Sequence, residues 1–140
     1  MDLLTQIMEF GDLPQWVQSR LIAAVKETRD NPFEYYIEYI NEDTETKRNN
    51  SGLAWFVTPK ELIKVTFLYY SFTIEKTKLS ELIEAIKIRD FSPVEDIDAK
   101  EIKTKSCQLR FKWDRNISLN PPRLDGTDNN RHYEKFIARF

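Results

Sequence analysis

The stretch Ser106-Cys-Gln-Leu-Arg-Phe-Lys-Trp113 carries the clearest structural pattern in the chain, because apolar and polar residues alternate along its whole length. The apolar set is Cys107, Leu109, Phe111 and Trp113. Successive side chains of a strand point to opposite faces, so this alternation predicts a half-buried β-strand with these four side chains toward the core. A returning strand is expected at Ile117 to Leu119, ending before Pro121-Pro122, which cannot donate to a ladder.

Aromatic and β-branched residues, interrupted by turn residues, continue this pattern upstream. Such runs are typical of strands. We predict seven strands in all. Those before Ser106 are residues 33–40, 53–58, 62–68, 71–77 and a strand within 82–91 that is entered through a short helical turn.

Helical spacing appears at both ends of the chain. Residues 3–8 carry a short apolar stripe closed by Gly11, and Asp12-Leu-Pro-Gln15 has the residues of a helix start. We therefore predict two N-terminal helices, the second ending at Asn31-Pro32. A C-terminal helix is predicted from apolar residues at i, i+3, i+4 and i+7, and these are Tyr133, Phe136, Ile137 and Phe140.

The composition of the chain limits the classes of protein to which it can belong. The 140 residues include 21 Lys plus Arg, 23 Asp plus Glu, one His and one Cys, with a net charge of -2. A chain of this length suits one compact domain. Neither a membrane-spanning stretch nor a signal peptide is recognisable, and the single Cys107 fits a reducing compartment, so a cytoplasmic location is expected.

A family resemblance is carried by two further stretches, Leu53-Ala-Trp-Phe-Val-Thr-Pro-Lys-Glu-Leu-Ile-Lys-Val65 and Lys78-Leu-Ser-Glu-Leu-Ile-Glu-Ala-Ile-Lys-Ile88. Together with the hairpin after Gln108 and the last helix, they make residues 33–140 resemble a bacterial pleckstrin-homology-like (PH-like) domain. The resemblance implies an α+β fold, a bent antiparallel seven-strand barrel or sandwich with a C-terminal capping helix, over residues 32–140. Residues 1–31 would form an N-terminal helical extension within one compact domain.

Residues suited to catalysis are few. His132 has no second His or Cys to form a metal site or triad, and Cys107 alternates with core residues. The three glycines are isolated, so no phosphate-binding loop is present in the sequence. We therefore expect a protein that is not an enzyme, with no catalytic, metal-binding or cofactor-binding residues and no cofactor.

Lys47 and Arg48 are candidate anion-binding residues. Many members of the PH-like superfamily bind inositol phosphates through basic residues of the first hairpin, and these two occupy the matching loop. Glu42, Asp43 and Glu45 share that loop and would repel a phosphate. Binding of a lipid headgroup or nucleotide is therefore an alternative function, and not the first expectation.

A C-terminal basic strip has some ingredients of a nucleic-acid surface. It consists of Arg110, Lys112, Arg115, Arg123 and Arg131, with Trp113 and Tyr133 nearby in sequence. Because both rings are predicted to face the core, and the net charge is negative, no nucleic-acid partner is expected.

Tyr35, Tyr36 and Tyr39 are candidate partner-binding residues, because the first strand carries apolar groups on both faces. Either the N-terminal helices or a partner must cover the second face. The function expected is a non-enzymatic protein-interaction or scaffold module of a bacterium or phage. It would act through a protein partner or self-association, by strand addition beside the C-terminal helix. An enzyme of unrecognised type is the remaining alternative.

Overall fold

A computed structural model describes residues 13–28, 34–43, 45–90, 103–123 and 127–140. These residues form two α-helices and seven β-strands. In chain order the elements are α1 (Gln15–Glu27), β1 (Glu34–Asn41), β2 (Ser51–Val57), β3 (Glu61–Leu68), β4 (Phe72–Lys78), β5 (Leu82–Asp90), β6 (Lys103–Phe111), β7 (Arg115–Leu119) and α2 (Thr127–Ile137). Short 3₁₀ turns lie at Lys47–Asn49 and Leu79–Glu81.

The strands form two antiparallel sheets of an α+β fold. The first sheet has the order β1-β2-β3-β4 and the second the order β5-β6-β7. Every pairing joins strands that are neighbours in sequence. None of the helices in the described residues is long and apolar enough to cross a membrane.

The prediction of a PH-like barrel is wrong. In the described part of the chain no strand of one sheet pairs with a strand of the other, so the sheets do not close into a barrel. The 3₁₀ turn Leu79–Glu81 takes the chain out of the first sheet before β5 begins. Of the two predicted N-terminal helices, α1 is observed, and the one expected at residues 3–8 lies outside the described residues.

One face of the four-stranded sheet packs against α1 and forms the outer core. The apolar residues of α1 recur at helical spacing and therefore lie on one side of the helix. They contact alternate residues of the strands, which lie on one face of the sheet. The buried residues of this core are Leu13, Val17, Leu21, Ala24, Val25, Tyr35, Ile37, Ala54, Phe56, Ile63, Val65 and Phe67.

The other face of the same sheet packs against the three-stranded sheet and α2 and forms the inner core. Its buried residues are Tyr36, Leu53, Trp55, Val57, Leu62, Cys107, Leu109, Phe111, Leu119, Tyr133, Phe136 and Ile137. Both faces of β1 are thus covered within the chain, which explains why its sequence is apolar on both faces.

Trp113 does not face the core as predicted. The strand ends at Phe111, and Trp113 and Asp114 adopt left-handed backbone conformations with φ of 61° and 56°. The alternation of a strand applies only while the backbone is extended. Trp113 is consequently 82% exposed, at the turn between β6 and β7.

Candidate functional site

Two of the four edge strands, β1 and β5, differ in how their outer edges are covered. The carbonyl of Glu38 in β1 accepts a hydrogen bond from the backbone N–H of Arg123 at 2.8 Å, and α2 packs along the strand. β5 has nine residues and pairs with β6 alone among the described strands. Its other edge therefore presents backbone N–H and C=O groups that a further strand can use.

Exposed isoleucines follow the free edge of β5. Ile83 is 56% exposed, Ile86 47% and Ile88 43%. Ile86 pairs with Gln108 and Ile88 with Ser106, so both side chains lie on the outward face of the three-stranded sheet. We call Ile83, Ile86, Ile88 and the β5 backbone edge the β5 surface. Apolar side chains grouped on one open strand are typical of interaction sites.

Charges along β5 balance. The strand contains Glu84 and Asp90 together with Lys87 and Arg89. Glu84 is engaged across the sheet, because its Oε1 lies 3.3 Å from Nη1 of Arg110 on β6. The strand therefore has no net charge to repel a second copy of itself.

The loop with Lys47 and Arg48 is folded around a carboxylate. Oδ1 of Asp43 accepts hydrogen bonds from the backbone N–H groups of Glu45 at 2.9 Å and Thr46 at 3.3 Å, and Oδ2 accepts one from Asn49 at 3.0 Å. The Asn49 hydrogen bond, followed by those from Glu45 and Thr46, lowers the pKa of Asp43.

Lys47 and Arg48 are both exposed on this loop. Lys47 lines a cavity of about 600 Å³ that also contains the side chains of Glu42 and Asp43. The structure therefore places carboxylates beside the predicted anion-binding lysine, an arrangement that opposes a phosphate.

The three tyrosines predicted to meet a partner are placed differently. Tyr35 belongs to the outer core and Tyr36 to the inner core, and both are fully buried. The Tyr36 hydroxyl donates to the carbonyl of Asn120 at 3.0 Å. Tyr39 is half-buried, with the Arg123 guanidinium 5.6 Å from its ring centroid. Tyr35 and Tyr36 thus have no exposed surface for a partner.

The two residues considered for catalysis, Cys107 and His132, are each packed against other side chains. Cys107 is buried in the inner core, and burial raises the pKa of its thiol. The His132 ring packs on Tyr35 with 4.9 Å between centroids. Among the described residues, no group of three His, Cys, Asp or Glu side chains is close enough to hold a metal ion.

The C-terminal basic strip is dispersed. Arg110 pairs with Glu84 on the outward face of the second sheet, whereas Arg115 lines a cleft between the sheets and Arg123 lies over Tyr39.

The cleft between the sheets was not predicted from the sequence. It has a volume of about 400 Å³ and lies between the inner face of the four-stranded sheet and β7. The register places Trp55 opposite Lys64, and Lys64 opposite Glu75, so the inner face changes from apolar on β2 to polar on β3 and β4. The cleft is lined by inner-core residues of this face, such as Trp55, together with polar ones, such as Lys64 and Glu75.

Two buried polar side chains line the cleft. Glu38 is 6% exposed, and its Oε1 accepts a hydrogen bond from the backbone N–H of Asn120 at 3.2 Å. Trp55 is 3% exposed, and its indole Nε1 has no hydrogen-bond partner in the structure. Nζ of Lys64 lies 5.8 Å from the centroid of the Trp55 ring. Neutral polar residues also line the cleft, namely Thr77, Asn116, Ser118 and Asn120.

Comparisons of this chain with models of protein families, with curated proteins and with solved structures found no match.

Proposed function

We propose that this protein is a small, non-enzymatic interaction module that self-associates by strand addition at the β5 surface. The observation that supports this proposal is the free edge of β5 with three exposed isoleucines. Strand addition uses the unpaired backbone groups for affinity and the side chains for specificity. Two copies would form one continuous antiparallel sheet with three strands from each.

An antiparallel register centred on Ile86 suits the sequence of β5. It would place Ile86 beside Ile86 of the partner subunit, and Glu84 opposite Ile88 of the partner subunit. Lys87 would face Ala85 of the partner subunit. No two like charges are then directly opposite, and such pairs would be destabilising. A register centred on Lys87 would instead oppose two lysines and bring Glu84 against an aspartate.

Partial burial of the isoleucines adds to the affinity that the backbone hydrogen bonds supply. An isoleucine moved from full exposure to full burial contributes roughly 1.5–3 kcal/mol, and those of β5 are about half exposed. Each side chain therefore contributes only a modest binding free energy. We expect a reversible dimer whose population depends on protein concentration.

Sedimentation velocity over a series of protein concentrations tests the proposal. The wild-type chain should pass from monomer to dimer, and Ile86→Lys and Ile88→Lys should remain monomeric. Leu68→Lys is the matched control, because Leu68 is 47% exposed, as Ile86 is, but belongs to the first sheet. A wild-type protein that stays monomeric throughout, or dimerisation unaffected by Ile86→Lys, would contradict the proposal.

The alternative functions inferred from the sequence have their own tests. A module for an anionic lipid headgroup or nucleotide requires Lys47 and Arg48, so Lys47→Glu with Arg48→Glu should abolish binding to vesicles that contain phosphoinositide. An enzyme would need a reactive group, and Cys107 is buried and His132 packs on Tyr35. We therefore rank the interaction module first.

A further inference from the structure

A cavity at the start of α1 brings aromatic rings and carboxylates together. Trp16 of α1 and Tyr69, which follows β3, line a cavity of about 600 Å³. Their ring centroids are 6.0 Å apart, and the ring planes are inclined at 47°. Glu42 and Asp43 line the same cavity from the loop after β1. We call these four residues the Trp16 site. Its volume falls within the usual range of ligand pockets.

Two contacts hold the Trp16 ring in place. Its indole Nε1 donates a hydrogen bond to Oε1 of Glu42 at 3.0 Å, so a carboxylate lies beside the ring. The ring also packs edge-to-face against the buried Phe67, with 5.7 Å between centroids. Trp16 nevertheless stays half-buried and lines the cavity, so a ligand can reach it.

Hydrogen bonds to Asn50 connect the acidic loop to the turn between β3 and β4. The backbone N–H of Asp43 donates to Oδ1 of Asn50 at 2.7 Å, and the N–H of Tyr69 donates to the Asn50 carbonyl at 3.1 Å. Asn50 itself is buried. The chain therefore fixes Asp43 and Tyr69 relative to each other before any ligand binds, and such preorganisation lowers the free-energy cost of binding.

Aromatic rings next to carboxylates favour a cation whose surface is apolar. The face of a tryptophan or tyrosine ring attracts cations, and proteins use this attraction to recognise quaternary ammonium groups. A lysine ammonium is strongly hydrated, whereas the methyl groups of a methylated ammonium gain from leaving water. The charged residues that line the cavity are Glu42, Asp43 and Lys47, so its lining has a net negative charge.

We propose that the Trp16 site binds the methylated ammonium group of a small organic cation such as choline. The ammonium would lie against the rings of Trp16 and Tyr69, and the carboxylates of Glu42 and Asp43 would supply the opposite charge. Lys47 is exposed, so its own ammonium can remain in the solvent. The site lies on the first sheet and the β5 surface on the second, so binding here is independent of self-association.

Nuclear magnetic resonance of the ¹⁵N-labelled full chain tests the proposal. The Nε1–H signal of Trp16, identified with Trp16→Phe, reports on the ring and on its hydrogen bond to Glu42. The probes are choline, the acetylated amide of trimethyl-lysine, inorganic phosphate, and the neutral alcohol in which a carbon atom replaces the choline nitrogen. Sodium chloride keeps the ionic strength constant.

At least one of the two ammonium compounds should shift the Trp16 signal in a saturable manner. It should bind roughly tenfold more tightly than the neutral alcohol, because only the charged compound interacts with the ring faces and the carboxylates as a cation. Phosphate should leave the signal unchanged. The signal of Trp113, whose side chain is exposed elsewhere, should not move with any probe. Tighter binding of choline would indicate a free small molecule, and tighter binding of the trimethyl-lysine amide a modified protein side chain.

Single substitutions test the assigned contacts. Glu42→Gln keeps an acceptor for the indole N–H but removes the charge, so it should weaken choline binding roughly threefold and leave the neutral alcohol unaffected. Lys47→Gln should strengthen choline binding, because it removes a competing cation. Glu45→Gln is the matched control, since Glu45 is exposed in the same loop but does not line the cavity.

The proposal is overturned if neither ammonium compound shifts the Trp16 signal, or if the neutral alcohol binds as tightly as choline. It is equally overturned if the Trp113 signal shifts to the same extent, if Glu45→Gln weakens binding as much as Glu42→Gln, or if Lys47→Gln weakens choline binding.

Discussion

The side-chain amide of Asn129 forms hydrogen bonds with both backbone groups of Ile37. Nδ2 of Asn129 donates to the Ile37 carbonyl at 2.8 Å, and the Ile37 N–H donates to Oδ1 at 3.1 Å. This pair reproduces the two-bond exchange between facing residues of antiparallel strands. One side chain of α2 thus occupies the edge of β1 where a further strand would pair. That edge is closed within the chain, while the outer edge of β5 has no partner among the described strands.

Asn129→Ala should lower the free energy of unfolding by about 2–5 kcal/mol, because it leaves a buried N–H and a buried carbonyl without partners. Urea denaturation followed by circular dichroism measures this change. Asn130→Ala, at the exposed neighbouring position of the same helix, should alter stability little. A loss below about 1 kcal/mol for Asn129→Ala would show that α2 is held mainly by its apolar contacts.

Buried tyrosines should make the protein sensitive to alkaline pH. Burial, reinforced by the charge of Glu38, raises the pKa of Tyr36 well above the ordinary value of 10.0. Burial also raises the pKa of Tyr133. The folded state therefore retains these protons more strongly than the unfolded state does. The part of the folding stability that comes from these raised pKa values is fully present below pH 10. It is lost as the pH rises from there toward the folded-state pKa values.

Tyr36→Phe tests this linkage. The variant should lose some stability at pH 8, because the hydrogen bond to Asn120 is absent, but its stability should fall less steeply between pH 9 and pH 11. Urea midpoints measured across that range give the slope. Tyr70→Phe, at an exposed tyrosine, should keep the wild-type slope. Equal slopes for Tyr36→Phe and wild type would contradict the assignment.

Gly52 permits a close contact inside the first sheet. A Cβ at this position would lie 2.2 Å from the Phe67 ring and 2.9 Å from the carbonyl oxygen of Tyr39. Phe67 is fully buried in the outer core and has little room to move. Gly52→Ala should therefore reduce stability by about 1–3 kcal/mol, as overpacking commonly does.

Ser51→Ala is the control for Gly52→Ala, because it changes a neighbouring residue of the same strand without this contact. Thermal unfolding of both variants is the measurement. A Gly52→Ala protein as stable as wild type would show that the Phe67 ring can adjust.

The alternation of apolar and polar residues correctly predicted a strand that buries only one of its faces. Ser106 to Phe111 lies within β6, with its apolar side chains inward. The same rule failed at Trp113, because the alternation continues in sequence after the backbone has left the extended conformation. It also failed to predict the exposure of Ile86 and Ile88, because an apolar alternation normally marks a buried face.

The arrangement of the two sheets and the cleft between them depend on contacts between distant segments, which periodicity does not encode. In the sequence Lys64 is a polar residue between Ile63 and Val65, the pattern of a solvated strand face. Its position in a cleft follows from the second sheet, which covers Trp55 and leaves Lys64 beside β7. Closure of β1 likewise depends on Asn129, 92 residues away from Ile37 in the chain.

Backbone amide hydrogen exchange at two protein concentrations tests the proposed interaction at β5 most directly. If two copies join through this strand, raising the concentration should slow exchange within Leu82–Asp90, and Ile86→Lys should abolish that effect. The outer strand β4 of the first sheet, Phe72–Lys78, should exchange at the same rate at both concentrations. Exchange in β5 that does not change with concentration, or slowing that appears in β4 instead, would contradict the account.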